Sequence, residues 1–111
     1  MNGPAAAWAF LAAAIVSEVA ATSALKLSEA ATRPSWAAAS AAGYGLSFRL
    51  LAQAFRHVPL SVAYAIWAGA GIALITVLSA TLFAERIGPQ AGAGLVLIVL
   101  GIVVLRTAPM P

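Results

Sequence analysis

The stretch that decides the fold is VPLSVAYAIWAGAGIALITVLSATLF, from Val58 to about Phe83, which contains no charged residue. A helix rises about 1.5 Å per residue, so about 20 apolar residues cross the ~30 Å hydrocarbon core of a bilayer. Similar apolar runs extend from Ala5 to about Leu25, from Trp36 to about Phe55 and from Gly88 to about Leu105. The sequence therefore predicts four transmembrane helices that account for almost the whole chain.

The composition favours a membrane fold over a soluble one. Of the 111 residues, 63% are hydrophobic and 8% are charged. A soluble domain of this size buries only about 60% of the surface that its unfolded chain exposes, so it could not hide this much apolar area. The first run lacks a basic leader and is followed by further apolar runs, so no cleaved signal peptide is expected. The predicted fold class is an all-α integral membrane protein with one four-helix transmembrane domain.

The polar residues exclude several other classes of protein. Without cysteine, and with a single histidine, the chain offers neither a disulfide framework nor a typical zinc site. Its net charge of +3 comes from few residues, which lie mostly between the apolar runs and suit membrane ends, so we expect no nucleic-acid partner. The connections are short, with Pro34 and Pro59 at the openings of helices two and three, and successive helices should pack antiparallel.

The basic residues show no bias across the membrane. Four crossings place both termini on one side. The terminal side then holds Arg49, Arg56 and Arg106, and the other side holds Lys26, Arg33 and Arg86. Because the positive-inside rule finds no preference here, the chain is predicted to insert in both orientations. One gene product could then form an antiparallel dimer.

Glu18 is the candidate site residue. It is the only acidic residue deep inside an apolar run, about thirteen residues into the first helix and roughly 20 Å from its start. An ionisable side chain at that depth is costly and is a functional hypothesis by default. Desolvation disfavours its charged form, so the carboxyl can hold either a proton or a cation and can exchange one for the other. The alternative is a carboxyl merely paired with a cation near a helix end, although Lys26 is two turns away.

The face around Glu18 is built from small residues. Helical spacing places Leu11, Ala14, Ala21 and Thr22 on this face. Small residues leave room for a substrate or for a close helix, and both interpretations stay open.

Helix three carries two aromatic residues on one face, Tyr64 and Trp67. Aromatic rings attract organic cations by about 0.5 to 2 kcal/mol or more when desolvated. The alternative is an aromatic belt at the membrane interface. Gly69 and Gly71 follow in mid-helix, where a hinge and plain tight packing are both open.

Helix four offers a groove for another helix. Gly94 and Gly101 are seven residues apart and share a face, with Leu97 and Ile98 close by. Small residues allow close approach between membrane helices, so this surface is the predicted dimer contact. Ordinary membrane-helix composition is the alternative.

Several strings across the chain form one pattern: Ser17-Glu18-Val19-Ala20-Ala21-Thr22, then Lys26, Ser28, Glu29 and Arg33; Tyr44, Ser47, Phe48 and Leu50-Leu51-Ala52-Gln53; and Pro59, Ala63-Tyr64-Ala65-Ile66-Trp67, Gly69, Gly71 and Arg86. This pattern resembles the small multidrug resistance family, and the likeness runs ungapped over nearly the whole chain. An AYAIW string downstream of a membrane EV pair is a specific signal.

The resemblance implies a dual-topology antiparallel homodimer in the bacterial cytoplasmic membrane, in which two copies of Glu18 share one site for a proton or a drug. It implies no cofactor other than the proton as coupling ion. The positions that line or surround this site in the family's pattern match Tyr44, Tyr64, Trp67, Ala14, Ile15, Thr22 and Ser47. Helix four supplies the dimer contact in that pattern.

The resemblance also implies a substrate class. The family's quaternary-cation branch has a tyrosine where Tyr44 stands, whereas its guanidinium-exporting branch typically has a tryptophan in the stretch matching Val19-Ala20-Ala21. The predicted function is therefore proton-coupled export of lipophilic and quaternary ammonium cations, with no enzyme activity. The alternatives are a guanidinium exporter, a proton-carrying membrane subunit and a small pore-former.

Two positions depart from the family's pattern. Ala21 stands where the pattern has glycine, and Arg49 stands where it has tryptophan. The Arg49 guanidinium could snorkel about 9 Å to the nearby membrane surface. Alternatively, in an inverted partner it could lie at the depth of Glu18, pair with the carboxylate and compete with a cationic ligand.

Overall fold

The computed structural model describes residues 3–109 and holds four α-helices within that range. They are α1 (Pro4–Leu27), α2 (Pro34–Ala54), α3 (Leu60–Leu82) and α4 (Pro89–Thr107). Each helix end lies within about two residues of its predicted position. The all-α architecture expected from the four apolar runs is confirmed.

Proline marks the start of three helices. Pro4, Pro34 and Pro89 are the first residues of α1, α2 and α4, and each follows a residue with extended backbone. The first N–H of a helix has no intrahelical partner, so the missing proline N–H costs nothing there, and the proline ring already sets the helical φ. Pro59 directly precedes α3. Pro34 and Pro59 are the two that the sequence placed at helix openings, and each lies within one residue of the observed start.

The chain divides into two compact units, Met1–Pro59 with α1 and α2, and Leu60–Pro111 with α3 and α4. In the first unit the two helices are joined by the six residues 28–33, which requires them to pack antiparallel. A link of the same length joins α3 to α4. The single domain expected for all four helices stays a prediction.

In the first unit α1 and α2 approach each other closely at Gly43 and Ala21. A Cβ atom built on Gly43 would lie 2.8 Å from the Ala21 Cβ, so no larger residue fits without a shift. Two side-chain hydrogen bonds hold the pair together at this level. The Ser17 hydroxyl donates to the Gly43 carbonyl and the Ser40 hydroxyl to the Ala21 carbonyl, both at 2.8 Å. The crossing therefore fixes the register of α2 along α1.

The α1–α2 connection is a compact left-handed turn. Glu29, Ala30 and Ala31 have φ of 51°, 60° and 65°, a region that L-residues rarely adopt consecutively. Ser28 is fully buried and closes the turn, since its hydroxyl donates to the Leu25 carbonyl at 2.6 Å and accepts from the Ala31 N–H at 3.0 Å. These bonds offset part of the backbone strain.

In the second unit Gly69 is the point of close packing between α3 and α4. A Cβ at Gly69 would overlap the Ile102 side chain and lie 3.0 Å from Ile98 Cγ2. Of the two interpretations that the sequence left open for this glycine, the structure provides a physical reason for tight packing. Gly71 lies half a turn further along α3, and its hinge role stays a prediction.

Three described helices are long and apolar enough to span a membrane: Ala5–Leu27, Leu60–Leu82 and Pro89–Thr107. The remaining helix, α2, is long enough to span a membrane but is less apolar, because small residues and Arg49 replace large aliphatic ones. On α4 large side chains face outward, with Leu97 69% exposed. Apolar surfaces of this kind suit lipid or a second membrane helix.

Candidate cation and proton site

Glu18 lies in the middle of α1 and is partly buried. Its Oε1 accepts a hydrogen bond of 2.9 Å from the Thr22 hydroxyl, one turn further along the same helix. The same hydroxyl is 2.8 Å from the phenol oxygen of Tyr44 on α2. We call Glu18, Thr22 and Tyr44 the polar triad. It brings together three of the predicted site residues.

Three apolar residues within one turn of Glu18 on α1 are buried. Ala14 and Ile15, both predicted to surround the site, are buried. Ala21 is also buried, and its methyl group occupies the space opposite Gly43. The departure from the family's glycine at this position is therefore accommodated by a glycine on the facing helix.

Ser47 is fully buried, and its hydroxyl oxygen has no hydrogen-bond partner among the described residues. It lies three residues after Tyr44, on the side of α2 that is buried. An unpaired buried hydroxyl costs about 1 to 3 kcal/mol. The place near the ligand site that the family resemblance implied for Ser47 stays a prediction.

Sequence reasoning missed Ser17 and Gly43. Their hydrogen bond, together with that of Ser40, places Tyr44 at the level of Thr22 and Glu18. The only signal for Gly43 was the excess of small residues on α2, and Ser17 stood in the family's pattern on α1 without an assigned role. Small residues are common in membrane helices, so that signal did not single out these positions.

The two aromatic site residues, Tyr64 and Trp67, belong to the second unit. The Tyr64 side chain is 68% exposed, whereas Trp67 is partly buried. Their spacing of three residues on α3 puts them on one side of the helix. A joint site of these rings with Glu18 stays a prediction.

The predicted dimer surface on α4 is open at its glycines. A Cβ at Gly94 or at Gly101 would meet no atom within 4 Å, and Leu97 is exposed. Ile98, which the sequence assigned to the same surface, lies against Gly69 of α3, and the dimer contact of these residues stays a prediction. The helix thus has one side packed within the chain and a second side, containing both glycines, that is uncovered.

Arg49 lies on an exposed side of α2, five residues before its end. No ion pair or hydrogen bond of its side chain is found within residues 3–109. By contrast, Arg33 pairs with Glu29 at 3.1 Å in the exposed α1–α2 connection. The head group of Arg49 is therefore free to reach the membrane surface.

These observations define a class of protein: a small helical membrane protein with one hydroxyl-bonded carboxylate inside its helices. Residues 6–98 match the model of the family described as Small Multidrug Resistance protein. The chain belongs to this family, and it is a four-helix, multi-pass membrane protein.

Individual relatives align over most of their length. The chain is 43% identical over 99 residues to the quaternary ammonium compound-resistance protein QacE of Escherichia coli, covering 89% of this chain and 90% of the relative. It is 39% identical over 97 residues to the multidrug transporter EmrE of Escherichia coli strain K12, covering 87% and 88%. It is 38% identical over 100 residues to the spermidine export protein MdtI of Salmonella arizonae, covering 90% and 92%.

Proposed function

We propose that this protein is a proton-coupled antiporter that exports lipophilic and quaternary ammonium cations across the bacterial cytoplasmic membrane. The observation that carries the proposal is the partly buried Glu18, the only acidic residue within the four described helices, held by a hydroxyl in an apolar surrounding. The names of the relatives QacE and EmrE, a quaternary ammonium resistance protein and a multidrug transporter, support the substrate class.

The exchange mechanism follows from the chemistry of one carboxyl group. Thr22 bonds Oε1 of Glu18, and a carboxylate has a second oxygen that can face a cation. A hydrophobic cation without hydrogen-bond donors loses little solvation on entering apolar walls, so an ionised Glu18 can bind it. A proton on Glu18 removes that charge and expels the cation. Binding of either species therefore excludes the other, which couples their movements.

The aromatic residues contribute affinity rather than coupling. Tyr44 belongs to the triad, and Tyr64 and Trp67 on α3 supply further rings. Such rings attract cations through their negative faces, and more strongly in a desolvated site. Their contact with a flat organic cation does not depend on the protonation of Glu18.

The transport unit in this proposal is an antiparallel homodimer with two copies of Glu18. Three basic residues on each side of the membrane give no preferred orientation, and the open surface at Gly94 and Gly101 would receive the second copy. The equal numbers of basic residues therefore do not oppose insertion in both orientations. Two inverted copies would expose the shared site to either side in turn.

The experiment is cation transport in proteoliposomes under an imposed pH gradient. Ethidium, tetrapropylammonium, guanidinium and spermidine should be offered in turn, with Glu18→Gln as the inactive variant. Glu29→Gln is the matched control, because Glu29 is an exposed loop carboxylate that pairs with Arg33. Uptake of ethidium and tetrapropylammonium driven by the gradient is the expected result. Transport of guanidinium alone would identify a guanidinium exporter instead, and proton leak without any cation would identify a pore.

A further inference from the structure

The Thr22 hydroxyl stands between a carboxylate and a phenol, and its single proton sets the direction of both bonds. A threonine hydroxyl has one proton to donate and two lone pairs to accept with. Thr22 donates to Glu18 Oε1 at 2.9 Å, so in its bond of 2.8 Å with Tyr44 the phenol must be the donor. With Glu18 ionised, both protons of the triad therefore point toward the carboxylate.

This use of a hydroxyl differs from that of other helical threonines in the chain. Thr76, Thr81 and Thr107 each donate to a backbone carbonyl four residues earlier in the same helix. Thr22 donates to the side chain four residues earlier, which is Glu18. Its hydroxyl thus connects the ionisable group of α1 to a group on α2.

We propose that the polar triad reverses its hydrogen bonds when Glu18 is protonated, so that Tyr44 senses on α2 whether α1 carries a proton. A protonated Glu18 can donate its own O–H to Thr22. Thr22 then turns its proton to the Tyr44 oxygen, and the Tyr44 proton turns away from the triad. Only O–H groups rotate, so the single proton gained is the one on Glu18. This inference rests on the proposed function and deepens it by giving Thr22 a positioning role.

Lys26 of α1 and Arg49 of α2 lie away from Glu18, so Tyr44 is the group on α2 that responds to the protonation of Glu18. Lys26 lies two turns further along α1 than Glu18. Arg49 lies five residues after Tyr44, about 140° around α2, on an exposed side. Tyr44 is therefore the titratable residue of α2 that is hydrogen-bonded to Thr22.

The test is the pH dependence of ethidium binding to the purified full-length protein in detergent. A hydrogen bond to an ionised carboxylate favours ionisation. Thr22→Val should therefore move the pH of half-maximal binding upward by about one unit, with little change in affinity at the alkaline end. Thr22→Ser keeps the hydroxyl and should restore the wild-type profile.

Tyr44→Phe keeps the ring and should shift the profile in the same direction by less, because Thr22 can still donate to Glu18. The Thr22→Val/Tyr44→Phe double variant should shift no further than Thr22→Val alone, because Tyr44 acts through Thr22. Additive shifts would overturn the proposal, as would a wild-type profile for Thr22→Val. If Thr22→Val does not fold, the comparison of Tyr44→Phe with Thr22→Ser decides: equal profiles would refute the triad.

The proposed function fails separately, if the wild-type protein shows no pH-dependent binding of ethidium. In that case infrared spectroscopy tests the triad, by measuring the pH at which the carboxylate band of Glu18 appears in each variant. The expected order of the variants is the same. If the band of Thr22→Val appears at the same pH as in the wild-type protein, the inference is overturned independently of transport.

Discussion

Replacing Gly43 with alanine should separate α1 from α2 and damage the site without touching its ionisable group. The new Cβ would lie 2.8 Å from the Ala21 Cβ and 3.3 Å from its Cα. Carbon atoms in contact prefer about 3.5 to 4.0 Å, so the helices must move apart by roughly 0.7 Å or more. That movement would stretch the Ser17 bond to the Gly43 carbonyl and the Thr22 bond to Tyr44, both 2.8 Å.

The expected cost is about 1 to 3 kcal/mol in the free energy of unfolding, the usual range for overpacking. Denaturant titration of the purified protein in micelles measures this, and ethidium binding should weaken in parallel. Gly45→Ala is the matched control, because a Cβ there meets no atom within 4 Å. Adding Ala21→Gly to Gly43→Ala should recover stability. Equal stability of the Gly43→Ala and Gly45→Ala proteins would refute the reasoning.

Three further predictions concern the aromatic rings, the dimer surface and Arg49. Trp67→Ala should weaken ethidium binding by about 0.5 to 2 kcal/mol in a fluorescence titration, whereas Trp36→Ala at the start of α2 should not; equal losses would contradict a site role. Leucine at both Gly94 and Gly101 should reduce the yield of cross-linked dimer, and an unchanged yield would exclude this surface as the contact. Arg49→Trp should leave the affinity for tetrapropylammonium and its pH dependence unchanged, since the guanidinium reaches the interface; tighter binding at alkaline pH would show that it competes with the cation at Glu18.

The helices and their ends could be predicted because membrane spans obey simple length and polarity rules. Apolar runs near 20 residues located them to within about two residues, and Pro34 and Pro59 marked the openings of the second and third helices. The turn after α1 could not be predicted in the same way. Its three consecutive left-handed residues, Glu29 to Ala31, include no glycine, and they depend on the bonds of Ser28.

The part of the site on one helix was predictable, and the part between helices was not. Glu18 and Thr22 are four residues apart, so helical geometry alone placed them together. The hydrogen bond between Thr22 and Tyr44 depends on the register of two helices, which Gly43 and Ser17 set. Gly43 acts through its small size and Ser17 through a hydrogen bond to the backbone, so neither residue type gives a distinctive chemical signal in the sequence.

The central claim is that Glu18 binds either a proton or a cation and exchanges one for the other. Proton release on cation binding tests this claim most directly. Purified protein in weakly buffered detergent should acidify the solution when ethidium is added, and the signal should saturate with occupancy of the site. Glu29→Gln should release protons as the wild-type protein does. Glu18→Gln, which keeps the shape of the side chain but cannot ionise, should release none. Undiminished proton release from Glu18→Gln would contradict the account.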